Sequence, residues 1–142
     1  MQIRETLSHL DTLLHQCRLD EAETYLTQAI AQAQTAQDTE SEKLLRNEQI
    51  GFYRDCGKFP QALDTAAKAR ALFEDAGETD SISYATTLLN CANAYRAAGW
   101  EELPVSTRTF RLFARGARTA ALLAEDAPSG GARVTEFRRG DL

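Results

Sequence analysis

The sequence predicts an all-α protein, and three observations support that class. Apolar residues recur every three or four positions through most of residues 1–100, a spacing that places them on one face of a helix. Glycines and capping residues occur where these runs would end and begin. No segment alternates apolar and polar residues between turn signals, as a half-buried strand would.

The apolar runs define five helices in chain order, each with one face to bury. The first two stripes comprise Ile3, Leu7, Leu10, Leu14 and Cys17, then Ala22, Tyr25, Leu26, Ala29, Ile30 and Ala33. The third and fourth comprise Leu45, Phe52, Tyr53 and Cys56, then Ala62, Ala66, Ala69, Leu72 and Phe73. The fifth comprises Tyr84, Leu88, Cys91, Tyr95 and Ala98. Short links between such helices favour antiparallel hairpins.

Residues that begin and end helices lie between these runs. Gly57, Gly77 and Gly99 are expected at helix C-termini, and Pro60 in the first turn of the fourth helix. The expected N-caps are Asp20, Asp38 or Thr39, and Asp80 or Ser81.

The chain also repeats itself with a step of 42 residues. Tyr53, Arg54 and Gly57 recur as Tyr95, Arg96 and Gly99. A step of roughly 20–50 residues is typical of stacked helical repeats.

On these positions, residues 1–100 resemble the tetratricopeptide-repeat family in its 42-residue variant. The matching positions are Ile50, Tyr53, Gly57, Phe59, Ala62, Ala66 and Ala69 in one unit, Leu88, Ala92, Tyr95 and Gly99 in the next, and Leu10, Leu13, Leu19, Ala22, Leu26 and Ala29 in the first. Ala66 is smaller than is usual there, and Cys17 stands where Gly is expected. The resemblance implies antiparallel helical hairpins stacked as a short solenoid of about two and a half repeats.

The resemblance further implies a concave groove that binds a peptide or a partner protein. Its lining positions would be Arg4, Leu7, Asp11, Leu14, Leu44, Asn47, Gly51, Arg54, Asp55, Leu89, Asn93 and Arg96. The candidate peptide-binding residues among them are Asn47, Arg54, Leu89, Asn93 and Arg96. Asn side chains suit a peptide backbone, and Arg side chains suit a carboxylate. The alternative is that each is an ordinary solvated helix residue.

One binding mode of the family is disfavoured. The clamp that holds chaperone C-terminal tails needs a basic residue and an Asn one turn apart, and here the pairs are Leu7/Asp11, Asn47/Gly51 and Leu89/Asn93.

The residue types that carry catalysis form no recognisable arrangement, so no enzymatic activity, cofactor or metal is expected. His9 and His15 fall on opposite faces of the first helix. The three cysteines, Cys17, Cys56 and Cys91, are odd in number and lack CxxC pairing, so they suggest neither a disulfide framework nor a zinc site. Because all three lie on apolar stripes, they are predicted to be small buried side chains.

Charge and hydropathy limit the partners and the location. The net charge of −5 opposes specific nucleic-acid binding. No apolar run approaches the roughly 20 residues that span a bilayer, and the N-terminus lacks a signal-peptide core. We therefore expect a cytoplasmic protein that does not bind membranes.

The pattern breaks after Gly99. Glu101, Pro104 and Arg111 occupy positions where the repeat calls for an aromatic residue and two alanines. Residues 101–125 are expected to form an atypical helix that caps the last hairpin, and residues 126–142 a flexible tail. A shift of reading frame at this point is an alternative.

Together these observations predict a non-catalytic module, residues 1–100, that binds a protein or peptide of unknown identity. The alternatives are a fragment of a peptide-sensing regulator, or a truncated or frameshifted repeat protein without its own function. Homo-oligomerisation remains open, because an array this short is near the minimum for stability.

Overall fold

The computed structural model describes residues 1–99, which form five α-helices. These are α1 (Ile3–His15), α2 (Leu19–Thr35), α3 (Thr39–Asp55), α4 (Phe59–Asp75) and α5 (Ile82–Ala97). The described residues contain no strand, so the all-α class and the five helices are confirmed. The predicted cap at 101–125 and tail at 126–142 lie outside the described residues.

The helices form a consecutive stack in which each packs against its neighbours along the chain. In addition, α3 contacts α5. The Met1 amino group lies 3.6 Å from the Asp38 carboxylate before α3, and Lys58 before α4 donates a 2.5 Å hydrogen bond to Glu23 near the start of α2. Alternate helices therefore run in the same direction, with α1, α3 and α5 in one layer and α2 and α4 in the other.

The helices end with the same backbone geometry. A residue with φ between 55° and 85° follows each one; these are Cys17, Gln37, Gly57, Gly77 and Gly99. After α1, the Cys17 N–H donates to the Leu14 carbonyl and the Arg18 N–H to the Leu13 carbonyl, and the ends of α2, α3 and α4 repeat this pair of bonds. This is the Schellman motif, which satisfies carbonyls that the helix leaves unpaired.

The positive-φ residues show how the 42-residue step is divided between two helices. The first four are spaced by 20 residues and the last by 22. The 42-residue step between Gly57 and Gly99 therefore combines one 20-residue unit with one lengthened unit. The extra length lies in the link between α4 and α5, which runs from Ala76 to Ser81, whereas the other links have three residues.

Small and large side chains alternate through the core. Ala22, Ala33, Ala62 and Ala69 are fully buried, and they allow the helix backbones to approach closely. The largest fully buried side chains are Leu10, Leu26, Leu45, Ile50, Phe73, Tyr84 and Leu88. All of these side chains except Ile50 belong to the apolar stripes that the sequence predicted.

Two of the three predicted N-cap sites are confirmed. Asp38 accepts hydrogen bonds from the Ser41 hydroxyl at 2.6 Å and the Ser41 N–H at 3.1 Å, and these bonds lower the pKa of the Asp38 carboxyl. Ser81 accepts from the Tyr84 N–H. The assignment of Asp20 was wrong, because α2 already begins at Leu19 and Asp20 lies in its first turn.

The three cysteines have three different environments. Cys91 is buried as predicted, Cys56 is half-buried and Cys17 is exposed. The burial predicted for Cys17 was wrong, because α1 ends at His15 and Cys17 occupies the left-handed position of the following turn.

A buried lysine joins α3 to the longest link. The Lys43 side chain is only 4% exposed, and its Nζ lies 2.7 Å from Glu40 and 2.6 Å from Glu78. The same atom lies 4.7 Å from the centroid of the Phe73 ring. Burial lowers the pKa of Lys43, but the hydrogen bonds to the two carboxylates outweigh it, so the pKa is raised. The Lys43 ammonium group thus connects α3 to the α4–α5 link through its ion pair with Glu78.

Within residues 1–99, no helix combines the length and apolar character needed to cross a bilayer.

Candidate functional site

A groove of about 910 Å³ opens between α1, α3 and α5, and it is the candidate site. Its apolar lining consists of Leu7, Leu14, Leu19, Leu44, Phe52 and Leu89. Leu19 is 46% exposed and Leu44 47% exposed, although both side chains are large and aliphatic. The groove therefore offers apolar surface that the described fold leaves in contact with solvent.

Five charged side chains also line the groove, and four of them are acidic. They are Asp20, Glu23, Glu48, Asp55 and Lys58. Lys58 is bonded to Glu23, and this hydrogen bond raises the pKa of its ammonium group. Lys58, the single cation among the described lining residues, is thus already paired with Glu23.

The charges cluster at one end of the groove. Asp55 is the last residue of α3, Lys58 precedes α4, and Asp20 and Glu23 belong to the first turns of α2. Three-residue links bring these helix ends together, because α1 and α3 end on the same side of the stack. We call this set of four residues the turn end of the groove.

Asn47 lies in the groove and joins α3 to α5. Its Nδ2 donates a hydrogen bond to the Thr87 hydroxyl oxygen at 3.0 Å, and its Oδ1 accepts from Asn90 at 3.4 Å. Thr87 is fully buried and itself donates to the Ser83 carbonyl. The Asn47 side chain is therefore engaged in holding the two helices together.

Gly51 lies in the middle of α3 and lines the groove beside Phe52 and Asp55. A Cβ atom placed there would meet only the Arg54 Nη2 atom, at an ordinary contact distance of 3.9 Å. The missing side chain therefore leaves open space in the groove rather than a close helix contact.

The predicted groove positions divide into two groups. Seven line the groove: Leu7, Leu14, Leu44, Asn47, Gly51, Asp55 and Leu89. The other five, which are not among the described lining residues, are Arg4, Asp11, Arg54, Asn93 and Arg96. Of the five candidate peptide-binding residues, the groove thus brings together Asn47 and Leu89.

The remaining three candidates have other surroundings. Arg54 is paired with its neighbour Asp55 at 3.1 Å. Asn93 is only 7% exposed, and its Oδ1 has no hydrogen-bond partner among residues 1–99. Arg96 is exposed near the C-terminus of α5.

Sequence reasoning missed the acidic turn end. Asp20 and Glu23 belong to α2, and Lys58 precedes α4. The groove positions implied by the family resemblance came only from the first helix of each hairpin. The signal was present in the short spacing between the end of α1 and Asp20, which keeps the start of α2 beside the groove.

No group of three or more His, Cys, Asp or Glu side chains within residues 1–99 is arranged to hold a metal ion. No protein-family model, curated protein or solved structure matches this chain.

Proposed function

We propose that the chain is a non-catalytic binding module of the cytoplasm, which holds a protein or peptide segment in the groove between α1, α3 and α5. The observation that carries this proposal is the pair of half-exposed leucines, Leu19 and Leu44, that line the same groove. Burying such side chains against a partner is favourable by about 25 cal/mol per Å² of apolar surface.

The dimensions of the groove support a segment of chain as the ligand. A volume of about 910 Å³ lies toward the upper end of what small-molecule pockets offer. Its lining comes from helix faces that are open to one side, which is the form in which helical grooves hold an extended peptide or an amphipathic helix.

We also propose membership of the tetratricopeptide-repeat family. The support is the alternation of two layers of antiparallel helices, the fully buried Ala22, Ala62 and Ala69, and the glycine at the end of α3. Two helix units make one hairpin, so the helix ends give hairpin steps of 40 residues from Cys17 to Gly57 and 42 residues from Gly57 to Gly99, which is in line with the step on which the resemblance was drawn.

The groove can be tested by filling it. A random-peptide display library is selected against the immobilised full chain, and the dissociation constants of the recovered peptides are measured for the wild type and for Gly51→Leu. Because a Cβ at position 51 meets no clash, Gly51→Leu should fold and should occupy the groove. We expect it to weaken binding at least about tenfold.

A matched pair of variants checks the apolar surface. Leu44→Gln removes an apolar side chain from the groove, whereas Ile82→Gln removes one that is 57% exposed and is not among the described lining residues. Leu44→Gln should weaken the selected peptides and Ile82→Gln should not. Peptides that bind all of these variants equally would show that the groove is not the binding site.

A further inference from the structure

We propose that the segment held in the groove is cationic: a stretch of a partner protein that carries aliphatic side chains together with Lys or Arg. This inference rests on the proposed function and adds the chemistry of the partner. It reverses the expectation drawn from Arg54 and Arg96, which suggested an acidic ligand.

Acidic side chains outnumber basic ones in the described groove lining. Among the described lining residues, Asp20, Glu23, Glu48 and Asp55 oppose the single cation Lys58. Lys58 lies 2.5 Å from Glu23, so this ion pair is already formed. Arg54, next to the groove, is likewise bonded to Asp55 at 3.1 Å. The four carboxylates therefore outnumber these two cations, and the net negative charge of the described residues repels an acidic segment and attracts a basic one.

The arginines that an acidic ligand would need lie outside the described groove lining. Neither Arg54 nor Arg96 is among the described lining residues. The Arg54 guanidinium is bonded to Asp55 at 3.1 Å and its side chain is 13% exposed. A ligand carboxylate would therefore have to displace Asp55 to reach Arg54.

Acidic side chains of the groove also lie at its turn end, next to the apolar surface. Leu7, Leu44 and Leu89 line the groove along the middle of α1, α3 and α5, whereas Asp20 and Asp55 lie at the turn end. Asp20 has no hydrogen-bond or ion-pair partner among residues 1–99. A fitting segment thus places aliphatic side chains on the leucines and a cation near Asp20, because Asp55 is already paired with Arg54.

The test uses the full chain and three fluorescent synthetic peptides of equal length with blocked ends. The first alternates leucines with lysines at helical spacing, the second replaces every lysine by glutamate, and the third replaces every leucine by serine. Fluorescence anisotropy gives the three dissociation constants at low and at high salt. We expect the Leu/Lys peptide to bind at least about tenfold more tightly than either of the others, and to weaken as salt rises.

Charge variants locate the effect. Asp20→Asn/Asp55→Asn removes two charges from the turn end, and we expect it to weaken the Leu/Lys peptide by about three- to tenfold. Glu5→Gln/Asp75→Asn makes the same change of net charge at exposed positions that are not among the described lining residues, and it should leave the affinity unchanged.

Several outcomes would overturn the proposal, and they are distinguishable. Equal binding of the Leu/Lys and Leu/Glu peptides, both abolished by Gly51→Leu, would refute the charge preference and leave the binding function standing. Equal binding of the Leu/Lys and Ser/Lys peptides would show non-specific attraction to an acidic protein. No Gly51→Leu-sensitive binding of any of the three peptides would refute the cationic segment, and the binding function would fall with it only if the library selection also gives no peptide that Gly51→Leu weakens.

A second copy of the chain is the competing occupant. Residues 105–124 carry four arginines and no carboxylate, so one chain could present this segment to the groove of another. Analytical ultracentrifugation of wild type and Gly51→Leu tests this. A wild-type dimer that Gly51→Leu converts to a monomer would assign the groove to self-association and overturn the proposal of a partner protein.

Discussion

Asn47 on α3 and Thr87 on α5 are joined by a 3.0 Å hydrogen bond at the groove, where the Asn47 side chain is half-buried and the Thr87 side chain is fully buried. Because Thr87 is fully buried, its hydroxyl oxygen depends on Asn47 for this donor. The residue that the sequence suggested as a ligand contact is therefore also part of the fold.

We expect Asn47→Ala to lower the free energy of unfolding by about 1–2 kcal/mol, because a buried hydroxyl oxygen loses its donor. Urea unfolding followed by circular dichroism measures the change. In a Thr87→Val background, Asn47→Ala should cost less unfolding free energy, because no hydroxyl oxygen is left without a donor. A double-mutant cycle should therefore give a coupling of about 1 kcal/mol. Strictly additive effects would show that the bond contributes nothing.

Gly51→Ala should have the opposite effect on stability. The added Cβ meets no atom closer than 3.9 Å, and alanine is the better residue in a helix interior by roughly 0.5–1 kcal/mol. Thermal unfolding should shift upward. A lowered melting temperature would mean that α3 needs a glycine for packing, which would weaken Gly51→Leu as a test of the groove.

The ends of α2 and α3 allow a matched comparison of backbone strain. Gln37 and Gly57 occupy equivalent left-handed positions, with φ of 55° and 73°. Gln37→Gly should stabilise the fold by roughly 0.5–1 kcal/mol, and Gly57→Ala should destabilise it by a similar amount. Because nothing lies within 4 Å of a Cβ at position 57, the second change isolates the conformational effect. Chemical denaturation of the two variants decides whether the signs are opposite.

The buried thiol of Cys91 should make the fold sensitive to alkali. Burial raises its pKa to about 12, with a smaller contribution from Glu74, and burial together with the hydrogen bond to Glu74 also raises the pKa of Tyr84. A folded-state pKa above the unfolded value means that stability is complete below about pH 8.5 and declines as pH rises toward 12, by up to about 1.4 kcal/mol per pH unit for the thiol.

Unfolding free energies at pH 7, 9 and 10.5 test this dependence. Cys91→Ala should show a shallower decline than the wild type, whereas Cys17→Ala should retain the wild-type slope because Cys17 is exposed. Labelling with a thiol reagent gives a second measurement: Cys17 should react in the folded protein, and Cys91 only on unfolding. Early reaction of Cys91 would contradict its burial.

Ala62 tests the close approach of the helices. It is fully buried at the start of α4, so Ala62→Leu should destabilise the protein by roughly 1–3 kcal/mol through overpacking. The exposed neighbour makes a control, and Gln61→Leu should change stability by less than about 0.5 kcal/mol. An unchanged melting temperature for Ala62→Leu would contradict the close packing of α4 against its neighbours.

The helices and most of their ends were predictable because local chemistry sets them. Apolar spacing, the capping side chains of Asp38 and Ser81, and the glycine after α3 act within a few residues of one another. The 20-residue unit was not visible, because Cys17 and Gln37 adopt the conformation that glycine adopts elsewhere. A left-handed backbone conformation is therefore not recognisable from the sequence when the residue that adopts it is not glycine.

The site was only half predictable, for a different reason. Leu44, Asn47 and Leu89 follow from the groove positions that the family resemblance implies, but the burial of Asn93 depends on contacts between elements that a repeat pattern does not describe. The acidic turn end likewise depends on how the start of α2 is placed beside α3. Residues from separate helices meet there only after the stack has formed.

The separation of the two surfaces of α3 has a consequence for how such a protein can diversify. Leu45 and Ile50 are fully buried and hold the stack, whereas Leu44 and Glu48 face the groove and are exposed. Substitutions at the second pair can change what is recognised while the scaffold keeps its stability. Asn47 is the exception, since it serves both surfaces, and a lineage that changes its ligand would be expected to keep this asparagine.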